Sequence, residues 1–152
     1  MKLLSILFAL FILIGACSTS EQKSDINNSS GLIEIENGWV RPGNAGMMTA
    51  AYFTINNGTN FADTLISINT DLAVDTQIHE SYESGDGLMG MREIGKVPID
   101  ANSSAELKPG GIHIMIIRAS VDVIEGDSID FNLYFSNLGE LKIKLPVELP
   151  SN

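Results

Sequence analysis

Lys108-Pro109-Gly110-Gly111-Ile112-His113-Ile114-Met115-Ile116-Ile117-Arg118 is the stretch that decides the fold. Pro-Gly-Gly is turn chemistry: proline presets one backbone angle, and glycine tolerates conformations that other residues avoid. The seven residues that follow alternate and are strongly apolar, which reads as a β-strand. Successive strand side chains point to opposite faces, so His113 and Met115 share one face.

The same signature recurs along the chain. Ile33 and Ile35 alternate with Glu34 and Glu36. Ala51-Tyr52-Phe53-Thr54-Ile55 is a β-prone run stopped by Asn56-Asn57-Gly58, a strong turn signal. Further short strands are expected at 64–68, 73–82, 88–93, 97–99, 105–107, 129–135 and 141–145. The last pair forms a hairpin: Phe131, Leu133 and Phe135 share one face, and Leu141, Ile143 and Leu145 return on one face with Lys142 and Lys144 opposite. Turn signals arrive every ten residues or so, the mark of an all-β sandwich or barrel. No segment shows helical periodicity over twelve or more residues. Residues 32–149, about 120 residues, suffice for a single domain with one core.

The chain has two histidines, and both fall in one pattern: His79, eleven residues, Met91, twenty-one residues, His113, one residue, Met115. Imidazole and thioether form a borderline-to-soft ligand set that favours Cu(I) over Mg, Ca or Mn. A hairpin centred on Gly85 sets His79 directly opposite Met91, with Cβ atoms about 5 Å apart. Bringing that pair against His113 and Met115 makes a His2Met2 site. Structural zinc normally uses Cys and His, and a blue-copper electron-transfer centre needs a thiolate beside its histidines. Met89 shares the parity of Met91 and reads as a spare ligand or as core. Met47 and Met48 read as packing or loop, and Trp39 as a core aromatic. Glu80, Glu83 and Asp86 read as a solvated hairpin end.

The N-terminus points outside the cytoplasm. Lys2 precedes an apolar run from Leu3 to Ile14, too short to span a bilayer comfortably, and this reads as a signal sequence over residues 1–16. Gly15-Ala16-Cys17 resembles the bacterial lipobox, in which the cut falls before a cysteine that is then lipidated. Cys17 is the only cysteine, so the mature chain has no other thiol and no disulfide. Ser18 to Ser30 is polar and rich in Ser and Asn, so residues 17–31 read as the lipidated cysteine and a tether. Removing Lys2 leaves eight basic residues against nineteen acidic, a net charge of −11. That charge argues against nucleic acid and against docking on anionic headgroups, and it leaves the acyl chains as the membrane anchor. Ser18 is not the Asp that signals inner-membrane retention in some bacteria, which points to the outer membrane. No Ser-His-Asp arrangement, redox cysteine pair or phosphate loop suggests an enzyme.

The metal spacing, with Leu107-Lys108-Pro109-Gly110-Gly111-Ile112-His113-Ile114-Met115, resembles the periplasmic copper chaperone family called PCu(A)C. Asn37-Gly38-Trp39-Val40-Arg41-Pro42, Ala50 to Ile55 and Leu88-Met89-Gly90-Met91-Arg92 resemble its other segments. The resemblance covers nearly all of residues 32–147. It implies a cupredoxin-like Greek-key β-sandwich that holds Cu(I) through His79, Met91, His113 and Met115. It also implies delivery of copper to the CuA domain of cytochrome c oxidase subunit II, sometimes with a Sco-type thiol protein. Glu80 stands where many members carry a further Met. Two other roles stay open: copper storage or detoxification, and a metal-free immunoglobulin-like structural or adhesive lipoprotein.

Overall fold

The computed structural model describes residues 31–149. The expected signal sequence, Cys17 and the tether up to residue 30 lie outside the described residues. All ten expected strands form: β1 (Ile33–Val40), β2 (Thr49–Asn57), β3 (Asp63–Asn69), β4 (Ala73–Glu83), β5 (Met89–Glu93), β6 (Val97–Ile99), β7 (Ser103–Leu107), β8 (Ile112–Ala119), β9 (Ser128–Phe135) and β10 (Gly139–Pro146). They make two antiparallel sheets. One runs β1-β2-β8-β4-β5, with β7 also on β2, and the other runs β10-β9-β3-β6. The chain changes sheet after β2, β3, β5, β6 and β8, which is the crossing pattern of a Greek-key sandwich rather than a meander.

Alternation explains what lies between the sheets. Phe53 and Ile55 of β2, Ile114 and Ile116 of β8, and Ile78 of β4 meet Leu65, Phe131, Leu133 and Phe135 of the other sheet in one buried core. Each fully buried aliphatic or aromatic side chain contributes about 2 kcal/mol by leaving water. Gly38 is required where β1 meets β10: a Cβ there would overlap Leu145 Cδ2.

Two local irregularities aim side chains at the outer face of the six-stranded sheet. First, β1 carries a bulge. Ile35 pairs with Ile55, but Trp39 pairs with Tyr52, so one extra residue enters between Glu36 and Trp39. Asn37 takes φ 51°, a left-handed conformation that Asn tolerates. The bulge moves Trp39 out of phase with Ile33 and Ile35. Trp39 is therefore half-buried on the outer face, stacked 4.5 Å from the Tyr52 ring, and is not the core aromatic expected from sequence. Second, β7 and β8 pair with the same edge of β2, at Phe53–Asn57 and Thr49–Ala51 respectively. Lys108–Gly111 interrupts that lane as an outward arch closed by Lys108 N–H donating to Ile112 O at 2.7 Å.

A buried carboxylate ties the loops at one end of the sandwich. Asp63 accepts from Thr64 N (2.7 Å), Ser136 Oγ (2.8 Å), Asn137 N (2.9 Å) and Leu138 N (2.9 Å). Burial alone raises its pKa, but these four donors outweigh burial and hold it below the ordinary 3.8. Asp63→Ala is expected to cost about 3 kcal/mol in urea unfolding at pH 7. The folded pKa is the lower one, so the stabilisation is complete above 3.8 and lost as pH falls through the folded value. As pH falls through and below the ordinary carboxylate range, the wild type should therefore lose stability more steeply than Asp63→Asn.

Candidate metal centre

The outer face of the six-stranded sheet gathers the predicted residues. His113 of β8 pairs directly with His79 of β4, and Met115 pairs with Gln77 on one side and Ala50 on the other. The β4–β5 register differs from expectation. Met91 lies opposite Ser81, and His79 lies opposite Glu93. The cause is the turn: Gly87 N–H donates to Ser84 O (2.9 Å), Ser84 N–H to Leu88 O (2.7 Å), and Gly87 takes φ 80°. That is a three-residue loop ending in a left-handed glycine, centred on Asp86 and not on Gly85. Moving the centre by one residue preserves parity, so Met91 stays on the His79 face, diagonally placed.

Met91, His113 and Met115 line one open cavity of about 180 Å³ together with Tyr52, Arg41 and Pro109. Met91 is 61% exposed, whereas His113 is only 4% exposed, beneath Tyr52 and the Lys108–Gly111 arch. His79 does not line that cavity. Its ring centroid lies 5.9 Å from that of His113, and the Tyr52 ring lies 6.3 Å from His113 on the other flank. A larger concavity of about 740 Å³, walled by Thr70, Asn132 and Lys142 among others, gathers no histidine or thioether.

Hydrogen bonds set which ring nitrogens present lone pairs. Gln77 Nε2 donates to Asp75 Oδ2 at 3.0 Å, which turns the amide oxygen toward His79. His79 Nε2 then donates to Gln77 Oε1 at 2.9 Å. The remaining nitrogen, Nδ1, is buried with no hydrogen-bond partner. A buried polar atom without a partner is costly, so this lone pair suits an external acceptor such as a metal ion. His113 Nδ1 donates to Gly111 O at 3.0 Å, and its Nε2 carries the lone pair. Burial, then the nearby His113 charge, lowers the His79 pKa from 6.5, with Glu93 partly opposing. His79 is therefore neutral at pH 7, the form that ligates metals.

The candidate donors on this face are two imidazoles and two thioethers. Among the described residues no three His, Cys, Asp or Glu side chains group as a metal cluster, so a hard ion has no carboxylate cage there. Glu80 points to the opposite face, where Arg92 Nη2 and Nε bind its Oε2 at 2.7 and 3.1 Å. Arg92 also stacks 5.2 Å over the Tyr82 ring, and Gly90 beneath that ring has no room for a Cβ. Met89 is two-thirds exposed opposite Glu83 and belongs neither to core nor to cavity. Met47 and Met48 are exposed loop residues. Asp75, Gln77 and Tyr52 were not singled out from sequence. Asp75 and Gln77 stand four and two residues before His79, so strand period alone placed them on its face.

Comparison with known proteins places this geometry. The LpqE-like family, whose description is that of a lipoprotein, has a model that matches residues 33–147. An uncharacterized protein of Rickettsia prowazekii, RP573, is 27% identical over 126 residues, covering 78% of this chain and 67% of its own length. Lxx21020 of Leifsonia xyli, which carries a lipoprotein name, is 27% identical over 117 residues, covering 76% and 69%. Among solved structures, the copper-bound PCuAC domain from PmoF2 matches with TM-score 0.65 at 23% identity, over 80% of this chain and 97% of that domain. The Cu(I) form of DR1885 from Deinococcus radiodurans matches with TM-score 0.58 at 20% identity, over 80% of this chain and 83% of its own. The chain belongs to the LpqE-like family, and its domain is the cupredoxin-like β-sandwich of the PCuAC domains.

Proposed function

We propose that this chain is an extracytoplasmic lipoprotein, anchored through Cys17, that carries Cu(I) on the outer face of its six-stranded sheet and releases it by ligand exchange. The observation that carries the reading is the convergence of Met91, His113 and Met115 on one cavity, beside the buried, unpartnered Nδ1 of His79. His79 is neutral at pH 7 and the two thioethers carry no charge, which suits a soft monovalent ion. The copper named for PmoF2 and DR1885 supports the same assignment. The ion is cargo, and no bond of a substrate is made or broken.

Exposure explains how cargo leaves. Met91 stands at the open side of the cavity, while His113 lies beneath the arch. An approaching thiolate or imidazole displaces the exposed thioether first and shares the ion with the deeper ligands. The acceptor proposed is the CuA domain of cytochrome c oxidase subunit II, directly or through a Sco-type thiol protein. A lipid anchor in the periplasm, on the outer membrane, keeps the carrier in the compartment that this domain faces.

An anaerobic competition titration should find one tight Cu(I) equivalent, lost in the His113→Ala, Met115→Ala double variant. Binding that survives both substitutions would move the site elsewhere. Gln77→Leu removes the acceptor that orients His79, and it should weaken Cu(I) by roughly ten- to hundredfold without removing a ligand. Mixing the loaded chain with an apo CuA domain should move copper to that domain. Tight binding with no transfer would reassign the protein to copper storage.

A further inference from the structure

Phe61 is the most exposed large apolar side chain among the described residues, at 78%, yet it is not on a loose loop. Its carbonyl accepts from Asn57 Nδ2 at 2.9 Å and from Thr59 Oγ1 at 2.8 Å, and its N–H donates back to Thr59 Oγ1. Asn57, which reaches this loop, is itself 1% exposed. Two residues on, the buried Asp63 carboxylate binds the backbone of Asn137 and Leu138. Asn57 and Asp63 thus hold Phe61 and Leu138 at one end of the sandwich. Leu32 joins them, tied by Gly31 N–H to Gly58 O and Gly58 N–H to Leu32 O, both 2.9 Å. Leu32, Phe61 and Leu138 line one cavity of about 230 Å³. Two buried polar side chains are committed to displaying apolar ones, a preorganised arrangement that a soluble surface does not need.

The charge pattern narrows the occupant. The chain carries nineteen acidic and nine basic residues, yet residues 31–33, 56–62 and 136–139 contain none of them. Among the residues that line the cavity only Asp63 is charged, and its carboxylate is buried on four hydrogen-bond donors. It is also the end where the polypeptide leads back toward Cys17, fourteen residues before Gly31, a length that reaches at most about 50 Å. We propose that Leu32, Phe61 and Leu138 form a membrane-seating platform that rests in the interfacial region of a zwitterionic bilayer. The proposal depends on the reading of Cys17 as the lipidated residue. An apolar rim whose one carboxylate is buried enters that region with less of the repulsion an acidic surface meets at anionic headgroups. The acyl chains hold the protein at the membrane, and a second, protein-borne apolar contact fixes its orientation there. Five residues of β2 separate Asn57 from Tyr52, about 17 Å, so seating this end holds the metal-centre face at a set height above the lipid.

The test uses the full chain purified from bacterial membranes and placed in phosphatidylcholine vesicles brominated on the acyl chains. Trp39, the single tryptophan, lies six residues from Ile33 along β1, roughly 20 Å from the platform, and serves as the internal control. Wild-type emission should match that in unbrominated vesicles. Phe61→Trp adds a reporter at an exposed position, and the variant should lose at least about half of its added emission. An acylated Phe61→Trp variant whose added emission is unchanged overturns the platform and leaves the anchor intact. Absence of an acyl mass on Cys17 overturns the anchor and the platform with it. A stable dimer dispersed by Phe61→Ser would give the platform to a second copy, which also overturns the proposal.

Discussion

The alternation of β8 is the constraint on which the rest depends. Ile114 and Ile116 are fully buried against the opposite sheet, and His113 and Met115 stand on the reverse face of the same strand. A strand cannot satisfy one face without assigning the other, because a one-residue slip would drive a histidine and a thioether into the core and two isoleucines into water. Core packing therefore sets the spacing of two candidate ligands to the pitch of a β-strand. β4 and β2 flank β8 on both sides, so the same ladder brings His79 and Tyr52 to His113.

Position alone does not prepare a site, and the polar contacts supply what the ladder leaves free. Asp75 turns Gln77, Gln77 turns His79, and the Gly111 carbonyl turns His113. Each contact is a single hydrogen bond, yet together they choose the tautomers of both rings. The Lys108–Gly111 arch has two roles: its carbonyl orients His113, and Pro109 walls the cavity. In a chain with net charge −10, the residues that line the cavity include Arg41 and no carboxylate. The absence of a carboxylate from that lining separates the cavity from an acidic ion trap.

Strand placement was legible because it rests on side-chain period, which is local. All ten strands appear where apolar alternation and turn residues put them. What escaped the sequence depends on one residue's backbone angle. Gly85 and Gly87 flank Asp86, and composition cannot say which glycine takes the left-handed position, so the hairpin centre was off by one while the face of Met91 was right. Trp39 failed for the same kind of reason. The positive φ of Asn37 adds a residue to β1 and flips everything after it. The roles of Gln77 and Asp75 were not legible, because an amide and a carboxylate on an exposed strand face look like ordinary solvation until their bonds are seen.

The exposure of Met91 also bears on its oxidation chemistry. A thioether 61% open to solvent is open to peroxide as well. Oxidation to the sulfoxide replaces a soft sulfur donor with a hard, polar oxygen. Met115, half-buried below it, is shielded by its neighbours from the same attack. Of the two thioethers on this face, Met91 would thus oxidise before Met115, while the β-ladder beneath it stays intact.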